Sequence, residues 1–344
     1  MAEIDIVILN WNGLHFLKQY LPSVIRHTSE EEAGIVVADN GSTDGSLEWL
    51  ESNYKSRIRT IALDHNYGFA GGYNRALEKI NSKYTLILNS DVEVSEGWLE
   101  PLCKAIAPDN IAAVMPKIRS YNNRGFFEYA GAAGGFIDRW GVPFCRGRIL
   151  DEVEEDLGQY DEVREIFWAT GACMLIKTDL FKKVGAFDEF YFAHMEEIDL
   201  CWRLKANGYS LLSVPESTVF HLGGGTLPSG NHRKIFLNVR NSLLTLYKNL
   251  PRKNLWGILL VRMVLDGLAA IKFLFGGEAK SFQAVIKAHL AFYKTKNRYR
   301  DFRRTNKDIV SPYSLSGYYP RSIVVDYYLR GKRKFSRIRL QHFK

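Results

Sequence analysis

The stretch YFAHMEEIDLCWRLKANG, residues 191–208, sets three acids, Glu196, Glu197 and Asp199, within four positions among Phe192, Met195, Ile198, Leu200 and Trp202. Neighbouring carboxylates in an apolar setting are the groups that take or give a proton at a reacting oxygen. On a helix beginning near Met195, Glu196 and Asp199 lie three apart on one face, and Glu197 points about 100° away from Glu196. Asp199 stands four residues before Arg203, the spacing of an intrahelical ion pair, so its expected role is structural. Glu196 and Glu197 remain for chemistry, with solvated helix acids as the bland alternative.

Three other clusters could hold a ligand. VADNGSTDGS (37–46) ends a strand and turns tightly into a helix; Asp39 can accept hydrogen bonds from a base or ribose, or simply belong to a strand-turn-helix cap. DHNYGFAGGYNRAL (64–77) is glycine-rich ahead of a helix: Gly68 permits close backbone approach, and Asn66 and Asn74 can hydrogen-bond whatever approaches. It lacks Gly-x-Gly-x-x-Gly after the first strand, which disfavours a dehydrogenase. LILNSDVEVSEGW (86–98) puts Asn89 and Asp91 two apart beyond an apolar strand, suited to a hard divalent cation on a diphosphate, although an Asp at a turn needs no ligand.

The elements that must position these residues follow from periodicity. DIVILN (5–10), IVVADN (35–40), IRTIALD (58–64) and YTLILNSD (84–91) read as strands, and the segments between them carry helical spacings of three and four. Strands alternating with helices imply right-handed βαβ units and a mostly parallel sheet, with the ligand beyond the strands' carboxyl ends, where Asn10, Asp39 and Asp91 fall. IAAVMPKIRS suggests another strand, and 119–165 reads as irregular or hairpin structure. Then come FWATGACMLIK, a helix TDLFKKVG capped by Thr178, the acidic helix ending at Gly208, and strands YSLLSV and STVFH.

A chain of 344 residues, 46% hydrophobic, can hold one large α/β domain and an appendage. Its four cysteines are far apart and outside zinc spacing, which points to reduced thiols, and the N-terminus lacks the basic region of a signal peptide. Residues 246–344 carry 22 Lys and Arg against 5 Asp and Glu, whereas the residues before them are net acidic. The expected organisation is therefore 1–245 as the principal domain and 246–344 as a basic, mainly helical region. Within the latter, LWGILLVRMVLDGLAAIKFLFGG (255–277) is interrupted by Arg262, Asp266 and Lys272; central charges cost about 2.5 to 3.5 kcal/mol each, which argues against a membrane span. The expectation is a helix lying on an anionic membrane surface, with a packed helix and a solvated basic face as the alternative. The acidic body speaks against nucleic acid.

In order and spacing, ILNWNG, VVADNGSTDGS, NYGFAGGYNRAL, LILNSDVEV, the run from Phe167 to Tyr209, and VFHLGGGT resemble the family 2 glycosyltransferases, notably their rhamnosyltransferase-like branch, over residues 4–245. The resemblance implies a GT-A fold (Rossmann-like α/β with a mostly parallel central sheet flanked by helices), a nucleotide-sugar donor, Mg²⁺ or Mn²⁺ on its diphosphate, and inversion at the anomeric carbon. Carried over by position, Asp39 is the nucleoside-binding acid, and Asn10, Asn66, Gly68, Asn74 and Asn89 line the donor site. Asp91 matches the last acid of the Asp-x-Asp motif and would ligate the metal, with His221 as a further contact; Asn89 stands where the family has an acid, which removes one anionic ligand. Trp168 and Thr170 fall on the expected acceptor floor. The family's catalytic base corresponds to Glu197, a Glu where Asp is usual, with Glu196 as the fallback. The setting implied is cell-surface polysaccharide synthesis on a glycan or lipid-linked acceptor, in the cytoplasm at the inner face of the membrane. A homologue that binds glycan or nucleotide without turnover is the alternative.

Overall fold

Four runs of mostly branched apolar residues, Ile4–Asn10 (β1), Gly34–Asp39 (β2), Ile58–Ala62 (β3) and Tyr84–Asn89 (β4), pair in parallel in the order β4-β1-β2-β3. Helices Leu14–Arg26 (α1), Ser46–Tyr54 (α2) and Gly68–Glu78 (α3) make the return crossings. Burial of β1, β2 and β4 on both faces is why they read as continuous apolar runs. Register sets Asn10 beside Asp39 and Leu9 beside Asn89, so the polar ends of these strands share one edge. The computed structural model describes residues 3–223, 231–306 and 309–338. Gly224, Gly225 and Thr226 of the VFHLGGGT motif lie outside the described residues.

The chain continues through Val92–Val94 (β5), Leu99–Ile106 (α4), Ile111–Ser120 (β6), Gly135–Asp138 (β7), Pro143–Cys145 (β8), Arg148–Ile149 (β9), Glu152–Val153 (β10), Arg164–Glu165 (β11) and Cys173–Lys177 (β12). Thr178–Lys183 (α5), Glu196–Ala206 (α6) and Ser210–His221 (β13) complete the main sheet and its cover. In that sheet β12 runs antiparallel between β4 and β6, β13 lies parallel to β6, and β11 and β5 pair antiparallel with β13. Residues 119–165, expected to be irregular or hairpin, build a second sheet, β10-β9-β8-β7.

Three local expectations change. The strands expected at YSLLSV and STVFH are one strand, β13, with a register shift between Val214 and Thr218. Thr178 begins α5 instead of capping it, because its hydroxyl meets that of Thr85 at 2.9 Å. The expected boundary at 245/246 falls inside a helix, His232–Asn249 (α7).

After α7 come Arg252–Phe275 (α8), Ala279–Thr295 (α9), Arg300–Thr305 (α10), Tyr318–Tyr319 (β14) and Ile323–Tyr328 (α11). The region is mainly helical, as expected, yet it is sewn into the body: β14 pairs with β7, and Glu154 accepts from the Phe335 amide at 2.8 Å and the Ser336 hydroxyl at 3.1 Å. Among the described residues no helix is long and apolar enough to cross a membrane. Of the charges that interrupt the apolar run of α8, Arg262 and Asp266 face the protein and Lys272 is exposed. Arg262 pairs with Asp266 at 3.0 Å and donates to the Gly141 carbonyl at 2.8 Å, and His289 lies 3.5 Å from Asp266. The four thiols are unbridged; three are buried and Cys103 is half-buried.

Candidate active site

The acidic helix α6 starts at Glu196, out of a backbone segment that is conformationally unusual. Phe192 (φ 66°, ψ −57°), His194 (φ 71°) and Met195 (φ 75°) all hold positive φ, and the Ala193 amide reaches back to the Tyr191 carbonyl at 2.8 Å, closing a γ-turn. Such strain persists only where surroundings over-determine it. Two elements do so here. The Phe192 carbonyl accepts from the Phe69 and Ala70 amides at the start of α3, 2.7 and 3.2 Å. From α7, the buried Asn241 amide donates to the carbonyls of Tyr191, Ala193 and His194 at 3.0, 3.0 and 2.7 Å.

This arrangement explains Gly68. Its φ is +74°, and a Cβ there would lie 2.5 Å from the Phe192 ring and 2.6 Å from the Phe192 carbonyl oxygen. The close approach that Gly68 permits is to the segment that launches α6.

Glu196 and Glu197 open α6, the first buried and the second half-buried; each keeps one buried oxygen with no hydrogen-bond partner. Burial, and then the neighbouring Glu197, push the Glu196 carboxyl far above the ordinary range. Burial also raises Glu197, to about 7, against the lowering effect of backbone amides at the helix start. One acid is thus held protonated and its neighbour titrates near neutrality, the condition suited to a general base. Cys201, one turn after Glu197, accepts from the Ala169 amide at 3.4 Å, so the 168–172 segment runs beside this helix start.

Asp199 is the structural acid expected. It is fully buried, bonded to Arg203 at 2.9 Å, and also to Lys248 at 2.9 Å and Asn249 at 2.8 Å from α7. Burial alone would raise its carboxyl; the Lys248 and Arg203 charges outweigh that and hold it down at about 2.

A second constellation forms where β13 pairs with β5. Register brings His221 opposite Val92, and its Nε2 lies 3.1 Å from Asp91 while Nδ1 lies 3.4 Å from Glu128. Burial would lower the imidazole, but the two carboxylates raise it to about 10. Glu128 went unnoticed in the sequence, being a lone acid in an irregular glycine-rich stretch. The Asp91 carboxylate and the Asn89 amide at the end of β4 are donor types that suit a hard divalent cation, whereas the His221 imidazole would have to lose a proton before it could ligate one. Among the described residues no group of three or more His, Cys, Asp or Glu side chains forms a closed metal site, so a cation here needs ligands from donor phosphate or water.

The other expected residues divide clearly. Asn10, Asp39 and Asn66 lie along one hydrogen-bonded chain: Asn10 donates to Asp39 at 3.0 Å and to Ser42 at 3.3 Å, and Asn40 donates to Asn66 at 3.1 Å and to the Gly68 carbonyl at 3.0 Å. Asp39 is fully buried, with its second oxygen taken by the Ser42 amide at 2.8 Å, and so shapes the turn that follows β2. Asn74, expected at the donor site, is bonded within the protein. Both ends of its amide clamp Phe187, donating to its carbonyl at 2.9 Å and accepting from its amide at 3.0 Å. Trp168 and Thr170, expected on the acceptor floor, are buried. The Trp168 indole donates to the Phe136 carbonyl at 2.9 Å and its ring fills the space over Gly135, where a Cβ would sit 2.2 Å away; the Thr170 hydroxyl accepts from the Ala172 amide at 3.2 Å.

A Rossmann-like sheet with polar groups at its carboxyl edge and a buried carboxyl pair beside it defines the GT-A class of glycosyltransferases, and solved structures share the fold. GalNAc-T7, solved with UDP, GalNAc and Mn²⁺, superposes with a TM-score of 0.59 over 91% of this chain and 58% of its own, at 17% identity. The S. aureus TarS 1–349 complex with UDP-GlcNAc gives 0.53 over 93% of both chains, also at 17% identity. The family model described as Glycosyl transferase family 2 matches residues 5–185, more than half of the chain, and the chain belongs to that family. It is similar to the N-acetylglucosaminyl-diphospho-decaprenol L-rhamnosyltransferase of Mycobacterium tuberculosis, 26% identical over 243 residues covering 63% of this chain and 75% of that protein. It is also similar to rhamnosyltransferase WbbL of Escherichia coli K12, 26% identical over 229 residues, covering 63% and 83%. The chain is a glycosyltransferase.

Proposed function

We propose that this enzyme moves a sugar, a deoxyhexose such as rhamnose among the candidates, from a nucleoside-diphosphate donor to a glycan or lipid-linked saccharide by single displacement with inversion. The observation that carries the mechanism is the Glu196–Glu197 pair at the start of α6, Glu196 buried and Glu197 half-buried, where loss of solvent raises Glu197 to about 7. Glu197 takes the proton from the acceptor hydroxyl as that oxygen attacks the anomeric carbon and the bond to the diphosphate oxygen breaks. Glu196, held protonated, adds no second negative charge beside it. The turn shaped by Asn10, Asp39 and Ser42 and the half-buried Asn66 receive the nucleoside. Asp91, with Asn89, would hold Mg²⁺ or Mn²⁺, and His221 would join them only as the neutral imidazole, after giving up the proton that Asp91 and Glu128 hold on it; the cation's charge would offset that developing on the leaving diphosphate.

The acceptor reading draws on the relatives named for polyprenyl-linked and rhamnosyl chemistry, and on the outer face of α8. Trp256, Leu260, Val264, Leu268, Ile271 and Phe275 are all exposed at spacings of three and four, while Arg262 and Asp266 turn inward. Ile286, Leu290 and Tyr293 of α9 are exposed as well. With Lys253, Lys272, Lys280 and Lys287 on the same two helices, the surface suits an anionic bilayer, the inner leaflet of the cytoplasmic membrane. Leu260→Glu with Leu268→Glu should abolish flotation with phosphatidylglycerol vesicles. If those changes instead dissolve a dimer and leave flotation intact, a second copy covers the stripe and the membrane reading falls. The donor is identified by a thermal-shift panel of nucleotide sugars with Mn²⁺, since a true donor stabilises the fold by mass action; no stabilisation by any member would count against the proposed reaction.

A further inference from the structure

Beside α8 lies a basic cleft that sugar transfer does not use. Arg139, Trp140, Arg321, Ser322, Val325 and Arg330 line a cavity of about 450 Å³ between the turn joining β7 to β8 and the start of α11. Its walls are tied together from within. The buried Asp138 carboxylate accepts from the amides of Trp140, Val142 and Ile323 at 2.8, 2.8 and 2.9 Å, and the Arg139 amide donates to the Arg321 carbonyl at 3.4 Å. The same turn is fixed to α8 by the Arg262 bond to Gly141.

The charge in the cleft is one-sided. Arg139 and Arg321 are exposed, and among the described residues neither guanidinium has a carboxylate within ion-pairing distance; Arg139 instead lies over the Trp140 ring, 4.5 Å from its centroid. The two nearby acids face inward and are occupied. Asp138 is held by the three amides, and buried Asp326 by the Tyr319 hydroxyl and by Arg330 at 2.9 Å. Exposed guanidinium forks that line one cavity and lack a protein anion match phosphate oxygens in charge and geometry.

We infer that this cleft binds a phosphate or diphosphate group. Arg262, which links the cleft to α8, lies on the inward side of that helix, so the inference stands apart from the membrane reading of the exposed stripe. The same chemistry is offered by two sources, a lipid headgroup or free phosphate.

The test uses the full chain and the double variant Arg139→Gln/Arg321→Gln, with inorganic pyrophosphate titrated by calorimetry in EDTA so that no metal-held diphosphate contributes. Equal urea midpoints establish that both proteins are folded. The expected result is pyrophosphate binding that the double variant weakens about tenfold or more. Phosphatidylcholine vesicles doped with polyprenyl diphosphate then separate the sources: retention of the wild type but not the variant assigns a lipid, and pyrophosphate binding without vesicle retention assigns free phosphate. Equal pyrophosphate binding by both proteins, or none by the wild type, overturns the inference. Because the readout involves neither Glu197 nor sugar transfer, loss of the proposed reaction in some other experiment leaves this result unaffected.

Discussion

Asn241 sets its side-chain amide 2.7 Å from the carbonyl oxygen of His194, two residues before the carboxyl pair. The same amide serves Tyr191 and Ala193, and the Asn241 oxygen accepts from Arg240 at 2.9 Å. A helix outside the acidic motif thus holds the strained turn from which Glu196 and Glu197 are aimed. Replacing that one amide should be felt at the base rather than at the donor.

Asn241→Leu removes the donor to three carbonyls and lets the turn relax. A shift of the order of 1 Å at a reacting group can cost about 100-fold in rate, so kcat should fall by one to two orders of magnitude while donor KM stays within a few-fold. Steady-state kinetics at saturating acceptor read the split; a loss confined to KM would assign Asn241 to binding.

The pH profile follows from Glu197. Its carboxyl must be ionised to act, so kcat/KM should climb about tenfold per unit below pH 7 and level off above it. Stability runs the other way. The folded-state value is raised above the ordinary 4.5, so the folded protein keeps a proton that the unfolded chain releases, and stability falls as pH rises from about 4.5 to 7. Denaturant midpoints across that window should decline in the wild type and decline less in Glu197→Gln.

Lys248→Met tests whether α7 belongs to the catalytic unit. It strips one of two cations from buried Asp199, which keeps Arg203, so the cost should lie near the lower end of the ~3–5 kcal/mol typical of a broken buried pair. Urea unfolding gives the value, and an unchanged midpoint would separate the two elements. Asp199 is itself held down near 2, so its contribution is present above pH 3.8 and is lost as pH falls toward 2.

Much of this was legible along the chain because parallel strands buried on both faces leave uninterrupted apolar runs. Those runs located β1 to β4 and the carboxyl edge bearing Asn10, Asp39 and Asn89. The α6 pattern also gave Asp199 to Arg203 correctly, since that contact is local. Contacts between distant segments were hidden. His221 and Asp91 are 130 residues apart, Glu128 sits in a stretch without periodicity, and Asn241 is an ordinary polar residue on an ordinary helix. Trp168 and Asn74 stayed ambiguous for another reason: an indole and an amide have the same letters whether they face a ligand or satisfy a buried carbonyl, and here both do the latter. Arg262, Asp266 and Lys272 were legible as interruptions that argue against a span, but not the pairing of Arg262 with Asp266 that turns those two inward and leaves the apolar stripe outside.

The central claim is that Glu197 is the base. Glu197→Gln keeps size and hydrogen-bonding shape but cannot take a proton, and should be assayed for transfer from the donor identified by thermal shift, alongside the stabilisation that donor confers. Turnover should drop by about 10²–10⁴-fold with the donor-induced shift preserved. Wild-type turnover in the variant would contradict the assignment, and so would loss of donor-induced stabilisation or of the fold itself.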